Sequence, residues 1–340
     1  MLSKFFKIVQ IFQGGNFMEL KTVRSMIYGH AIGDALGVPV EFKKREVLDA
    51  DPVVGMRAFG TFDMPDGTWS DDTSMVLATM ESLGRIGKID YTDIMTNFLR
   101  WAEDDEFTFD GTFDIGLTTA DAIRRFSKGT PAQLCGNSSE RGNGNGSLMR
   151  IAPIALYLHD KYGSDLANEN TIRIICNISS LTHAHPRTFI ACSIYVLIAN
   201  EVLNGNTEIK SAVDAGLKKA TDFFSTNEDF KDEFKEHYDR LISPDFIDTP
   251  RDQIRSSGYV VDTIEAAVWS LLNSDNYADC VLLAVNLGGD TDTIAAIAGG
   301  IAGLVYGEDM IPDKWVATLL GRSSIDYICE MFANQTYQNK

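Results

Sequence analysis

The stretch Asn286-Leu287-Gly288-Gly289-Asp290-Thr291-Asp292-Thr293-Ile294-Ala295-Ala296-Ile297-Ala298-Gly299-Gly300-Ile301-Ala302-Gly303-Leu304-Val305-Tyr306-Gly307 decides how the rest of the chain is read. Gly288 and Gly289 reach backbone angles that a residue with a Cβ avoids, so they end what precedes them and turn the chain. Asp290 to Thr293 then stand at a helix start. The apolar run behind them has almost no bulk, being mostly Ala and Gly. Glycine is a poor helix former, so this composition fits a buried helix whose neighbours approach closely. Two carboxylates at i and i+2, opening such a helix with hydroxyls beside them, are either caps or ligands for a hard cation.

A second stretch of the same kind weighs against capping alone. Asp66-Gly67-Thr68-Trp69-Ser70-Asp71-Asp72-Thr73-Ser74-Met75 again leads from a glycine turn into paired acids at the head of an apolar helix. One cap suffices for a helix start, and adjacent carboxylates repel unless a cation lies between them. Asp71, Asp72, Asp290 and Asp292, brought together with their hydroxyl neighbours, suit one or two Mg²⁺ or Mn²⁺ ions, which prefer oxygen ligands.

Five ordered motifs carry a resemblance. Gly33-Asp34-Ala35-Leu36-Gly37-Val38-Pro39-Val40-Glu41-Phe42, Ser70-Asp71-Asp72-Thr73, Gly142-Asn143-Gly144-Asn145-Gly146-Ser147-Leu148-Met149-Arg150, Thr182-His183-Ala184-His185-Pro186 and Gly288-Gly289-Asp290-Thr291-Asp292-Thr293 together resemble the ADP-ribosylglycohydrolase family, from about residue 20 to the late helices. The resemblance implies an all-α, orthogonal multi-helix bundle and a dinuclear Mg²⁺ or Mn²⁺ centre held by Ser70, Asp71, Asp72, Asp290, Asp292 and Thr293. It implies cleavage of the bond between ADP-ribose and a modified acceptor, with arginine as the foremost acceptor and serine or another O-linked residue as alternatives.

Paired cations can hold the two neighbouring hydroxyls of a ribose and activate a water. Cleavage at the anomeric carbon passes through an oxocarbenium-like state, and a carboxylate must take the water's proton. Glu41 or one of the metal-bound acids, Asp71 or Asp292, is the candidate; the residues alone do not choose. For substrate binding, Gly142, Gly144 and Gly146 leave backbone N–H groups for a pyrophosphate, with Asn145 between them and Ser147 opening a helix whose positive end favours an anion. A surface loop would have the same composition, and no Walker or Rossmann signature is present. Of the two histidines, His183 is placed near ribose or phosphate and His185 at a helix start. Asp114 either faces the leaving group or caps a helix. Tyr259 either meets the adenosine or fills the core.

Two other readings remain. One is an ADP-ribose-binding or partner-occluding protein without turnover, against which the complete acid set counts. The other is a two-metal phosphohydrolase, which product analysis would separate. Composition bounds the rest. The chain has 340 residues, 44% hydrophobic, with a formal net charge of −18, which supports a large core and opposes general nucleic-acid binding. Five scattered cysteines lack metal spacing and read as free thiols in a reducing cytosol. No apolar run looks long enough for a membrane span, and a monomer of one domain over residues 18–340 is expected.

Residues 1–17 look unlike the remainder and lack the core and cleavage site of a signal peptide. Gln13-Gly14-Gly15 ahead of Met18 is what a purine-rich ribosome-binding site would encode, so the native start is expected at Met18. The pattern is helical from Glu19, with Gly29, Gly33 and Gly37 on one face, and further helical patterns are read at about 72–86, 90–103, 114–127, 147–159, 171–181, 186–204, 261–273, 276–286, 291–306, 312–319 and 323–334. Residues 43–69 are read as loop, and 205–258 as a charged, variable insertion with a solvated face.

Overall fold

The structure, a computed structural model, describes residues 19–338, with side chains to 335. The expected leader and the alternative start at Met18 fall outside that range. Fifteen α-helices and no strand occur among the described residues: α1 Leu20–Gly37, α2 Arg45–Ala50, α3 Asp71–Ile86, α4 Tyr91–Asp104, α5 Leu117–Ser127, α6 Ala152–Tyr162, α7 Glu169–Ser179, α8 Pro186–Leu203, α9 Ile209–Phe224, α10 Lys231–Tyr238, α11 Val260–Leu272, α12 Tyr277–Val285, α13 Thr291–Tyr306, α14 Asp313–Thr318 and α15 Arg322–Gln338. The fold is the expected all-α bundle. Most helices fall within four residues of their expected bounds, and three places differ further, one being segment 205–258, which contains α9 and α10. Residues 43–69 contain the short α2. The helix expected from Ser147 starts at Ala152, with Pro153 in its first turn, where a missing N–H costs nothing.

The small-residue run has the use its composition implied. Gly29, Gly33 and Gly37 line one face of α1, and α13 lies directly against them. A Cβ on Gly29 would stand 2.3 Å from the Gly299 carbonyl oxygen, one on Gly33 2.1 Å from that of Ala295, and one on Gly37 2.3 Å from Asp292 Cα. The two backbones touch, and the Thr291 hydroxyl donates to the Gly37 carbonyl at 2.8 Å. This seam fixes the head of α13 against the end of α1, and with it the acids on both.

Helix α8 corrects one expectation. At 18 residues and a mean hydropathy of 1.2 it is long and apolar enough to cross a membrane, and 78% of it is buried inside the fold. Its sides are taken by α9, α6, α7 and α11. The charged segment 205–258 is likewise part of the body. Helix α9 shows Lys210, Asp214 and Lys218 to solvent and buries Val213, Leu217 and Phe224, and a Cβ on Gly216 would meet Ile198 Cα of α8 at 2.7 Å. A solvated face is present, as read, and its other side completes one contiguous apolar cluster that runs from Val23 to Ala333.

Candidate active site

Three chain segments deliver acids to one place. Helix α1 brings Asp34, the head of α3 brings Asp71 and Asp72, and the head of α13 brings Asp290 and Asp292. Glu41 comes from the turn after α1. Ligand oxygens of Asp34, Asp72 and Asp292 lie within 4.8 Å of one another, and so do those of Glu41, Asp290 and Asp292. The two groups share Asp292. Gly288 and Gly289, at φ 75° and 76°, make the turn that allows this. The Phe42 amide donates to the Gly289 carbonyl at 2.7 Å and the Gly289 amide to the Lys43 carbonyl at 2.8 Å, so the turn carrying Glu41 is laced to the turn carrying Asp290.

Ordinary structural roles absorb only part of this set. Both oxygens of Asp34 accept from the Ser70 amide, at 3.0 and 3.1 Å, and one also accepts from the Thr73 amide and hydroxyl, at 3.1 and 2.6 Å. Asp34 therefore caps α3 from a distance. Ser70 Oγ lies 3.3 Å from Asp72 Oδ2, and Thr293 Oγ1 donates to the same oxygen at 3.2 Å. By contrast Asp72 Oδ1, Asp290 Oδ1, Glu41 Oε2 and both oxygens of Asp292 are buried without a hydrogen-bond partner. Buried polar atoms are ordinarily paired, and each orphan calls for an explanation. Hard divalent cations, whose ligands are oxygens, supply it, so these acids can hold metal; the two groups include Asp34 and Glu41, which the expected ligand set did not contain, and omit Asp71, which it did.

Electrostatics agree. Burial, followed by the charges of Asp292, Asp114 and Asp290, pushes Glu41 up to about 12. Burial also raises Asp34 and Asp114 to about 6. Asp71, Asp72 and Asp292 are pushed well above the carboxylate range by burial and then by nearby carboxylates, foremost Asp114 for Asp71, Asp34 for Asp72 and Asp72 for Asp292. Without added positive charge the cluster must keep protons. Asp71 is 6% exposed and feels Asp114, Asp34 and Asp290, but it belongs to neither ligand group. Asp114, at φ 57°, shares a hydrogen bond with Glu41 and does not cap α5, whose first residue is Leu117.

The glycine loop reaches the same centre in a way the sequence did not disclose. The Asn145 side chain donates to Asp290 Oδ2 at 2.7 Å and to Thr263 Oγ1 at 3.0 Å, so it orients an acid instead of lying open to substrate. Gly142 is also spent: its amide donates to the Ser139 carbonyl, and a Cβ there would stand 2.7 Å from the Asn137 carbonyl oxygen. Gly144 pairs with Tyr259 in an isolated bridge. A Cβ on Gly146 would meet His183 Cε1 at 2.8 Å. Ser147 opens no helix; it is fully buried and accepts from Ser179 Oγ at 2.8 Å.

His183 is buried behind this loop, its Nδ1 2.8 Å from Thr182 Oγ1. Burial, then the Arg150 charge, lowers it to about 3, which keeps it neutral. His185 is the N-cap of α8, accepting from the Arg187 amide at 3.3 Å. Tyr259 is half-buried, with the Arg187 guanidinium 5.8 Å above its ring. Two functional features escaped sequence reading. Asp34 was quoted in a motif without a role; its signal was a lone acid on a helix face of glycines that had to be buried. The link from Asn145 to Asp290 spans 145 residues and left no local trace.

A model of the ADP-ribosylglycohydrolase family matches residues 19–340. The chain belongs to the ADP-ribosylglycohydrolase family. It is 34% identical over 313 residues to the ADP-ribosylarginine hydrolase Tri1 of Serratia proteamaculans, covering 92% of this chain and 79% of that one. It is 31% identical over 294 residues to the ADP-ribosyl-[dinitrogen reductase] glycohydrolase of Rhodospirillum rubrum, covering 86% and 87%. Among solved structures, an ADP-ribosylglycohydrolase-related protein complex superposes with a TM-score of 0.74 at 27% identity, over 93% of this chain and 98% of that one. As a member of this family the protein is a hydrolase of ADP-ribose linkages, and its acid clusters can hold metal.

Proposed function

We propose that this ADP-ribosylglycohydrolase releases ADP-ribose from modified arginine, with two Mg²⁺ or Mn²⁺ ions in the acid cluster. The observation that carries the reading is the convergence of Glu41, Asp72, Asp290 and Asp292 with buried, unpartnered oxygens; the arginine-directed relative supports the acceptor. Asp34, Asp72 and Asp292 would hold one ion and Glu41, Asp290 and Asp292 the other. Bound there, the cations offset the clustered negative charge, fix neighbouring ribose hydroxyls and activate a water.

The chain's own groups do the remainder. Glu41 accepts the water's proton as the water oxygen bonds to the anomeric carbon. The electron pair of the carbon–nitrogen bond leaves with the guanidine, which takes the proton up and departs as guanidinium. Asp114 holds Glu41 in place through their shared hydrogen bond. Asn145 holds Asp290. Neutral His183 packs against the loop at Gly144 and Gly146, and Gly144 bridges to Tyr259.

The test is a release assay. Arginine-, serine- and other O-linked ADP-ribosyl peptides are incubated with protein in Mg²⁺, Mn²⁺ or EDTA, and free ADP-ribose is followed. Metal-dependent release from the arginine peptide is expected. Release confined to O-linked peptides would replace the acceptor, and AMP in place of ADP-ribose would replace the reaction.

A further inference from the structure

Beside the cluster lies a set of aromatic side chains, two of them largely exposed and two half-buried. Phe42, directly after Glu41, is 67% exposed and sits at φ 63°. Phe59 is 59% exposed at φ 63°. A bulky residue at positive φ is an outlier that persists only when something else demands it, and an exposed ring returns no burial energy for the strain. The rings form a row: Phe42 and Phe62 have centroids 6.4 Å apart, Phe62 and Phe113 5.1 Å. The row is tied to the catalytic turn, since Thr61 Oγ1 donates to the Glu41 carbonyl at 2.7 Å and Phe113 precedes Asp114.

The charge around these rings has one prevailing sign. Segments 59–66 and 103–114 contain Asp63, Asp66, Glu103, Asp104, Asp105, Glu106, Asp110 and Asp114 and no Lys or Arg. Of these, Glu106 pairs with Arg100, while Asp63, Asp66, Asp104 and Asp110 are exposed and take part in no ion pair among the described residues. Lys43, Lys44, Arg45, Arg57 and Arg100 are the nearby cations in sequence; Arg57 pairs with Asp51 and Arg100 with Glu106. Aromatic faces beside free carboxylates attract guanidinium and ammonium groups, through the ring quadrupole and through charge.

We propose that this rim docks the acceptor polypeptide, and that it selects basic sequence flanking the modified arginine. The proposal rests on the arginine reading above and deepens it. The flanking cations lie over the Phe62–Phe113 pair and against the free acids, while the modified side chain enters the acid cluster.

Three probes carrying the same ADP-ribosyl-arginine linkage test it: free ADP-ribosylarginine, a peptide with Lys and Arg flanks, and a peptide with Asp and Glu flanks. Wild-type protein should show a lower KM for the basic peptide than for the acidic one. Phe62→Ala should raise KM for the basic peptide about tenfold, the worth of one or two cation–π contacts, with kcat and the KM for free ADP-ribosylarginine unchanged. If wild-type protein releases nothing from any arginine-linked probe, the arginine reading fails and the rim proposal with it. If it cleaves all three with one KM, or if Phe62→Ala changes all three alike, the arginine reading stands and the rim proposal alone is overturned. A wild-type dimer in sedimentation that Phe62→Ala dissolves would overturn it in favour of self-association.

Discussion

Asp292 is fully buried and neither of its carboxylate oxygens has a hydrogen-bond partner. A buried carboxylate without partners destabilises the fold unless a cation or a proton neutralises it. Removing Asp290, its neighbour in the second ligand group, is expected to abolish metal-dependent release while far-UV dichroism stays native, because Asp290→Ala deletes charge and little packing. Asn145→Ala should be milder. It removes an orienting hydrogen bond, and losses of metal affinity or turnover of about 10–100-fold are typical of such partners; titration of Mn²⁺ by calorimetry, alongside initial rates, measures both. Asp290 and Asp292 were legible in the sequence because two acids exceed what one helix start can use. Glu41 was legible through resemblance, since on its own it reads as a surface acid after Pro39. Asn145 was assigned to substrate, for an amide side chain in a glycine loop gives no sign of the partner that tertiary structure will bring.

Helix α13 works as an element through the absence of side chains. Gly33→Ala would drive a Cβ to 2.1 Å from a carbonyl oxygen of α13, and backbone cannot yield as a rotamer can. A cost of about 3 kcal/mol is expected. Gly300→Ala instead meets the Tyr195 hydroxyl at 2.7 Å, the far end of a side chain, and should cost about 1 kcal/mol; urea midpoints of the two variants give the comparison. Helix α11 offers a pH test away from the acid cluster. Burial, opposed by Arg240, raises Glu265 from 4.5 to about 7. Between those values the folded state holds a proton that the unfolded chain has lost. Stability from this group is therefore present below the unfolded value and falls as pH rises to about 7, by an amount on the order of 3 kcal/mol. Glu265→Gln should flatten that part of the stability–pH curve. At this scale outer helices such as α4 and α7 were readable because their 3.6-residue period is strong, whereas α8 is apolar on nearly every side. The exceptions have local causes: Pro153 moved the start of α6, and α2 is too short for a period to show.

For the molecule as a whole, the unpaired acids imply that cation binding and fold stability are linked. Saturating Mg²⁺ or Mn²⁺ should raise the melting temperature and EDTA lower it, by the equivalent of about 2.7 kcal/mol when free ion stands at 100 times its Kd; differential scanning calorimetry of wild type and Asp290→Ala decides, since the variant should respond weakly. The architecture was legible because five motifs kept their order along the chain. The place of segment 205–258 was not, because its charged face is a surface pattern while Phe224, Phe234 and Tyr238, which anchor it, are scattered. The seam between α1 and α13 has a consequence for synthesis. Thr291 and Gly37, bonded across it, are 254 residues apart. At ordinary rates of translation that interval lasts roughly 10–50 s, during which the emerging α1 has no α13 to cover its glycine face and Asp34 has no Asp292 beside it. On the ribosome this enzyme is without its complete acid cluster until nearly all of it has been made, so a nascent chain cut short before α13 is expected to be inert as well as unstable.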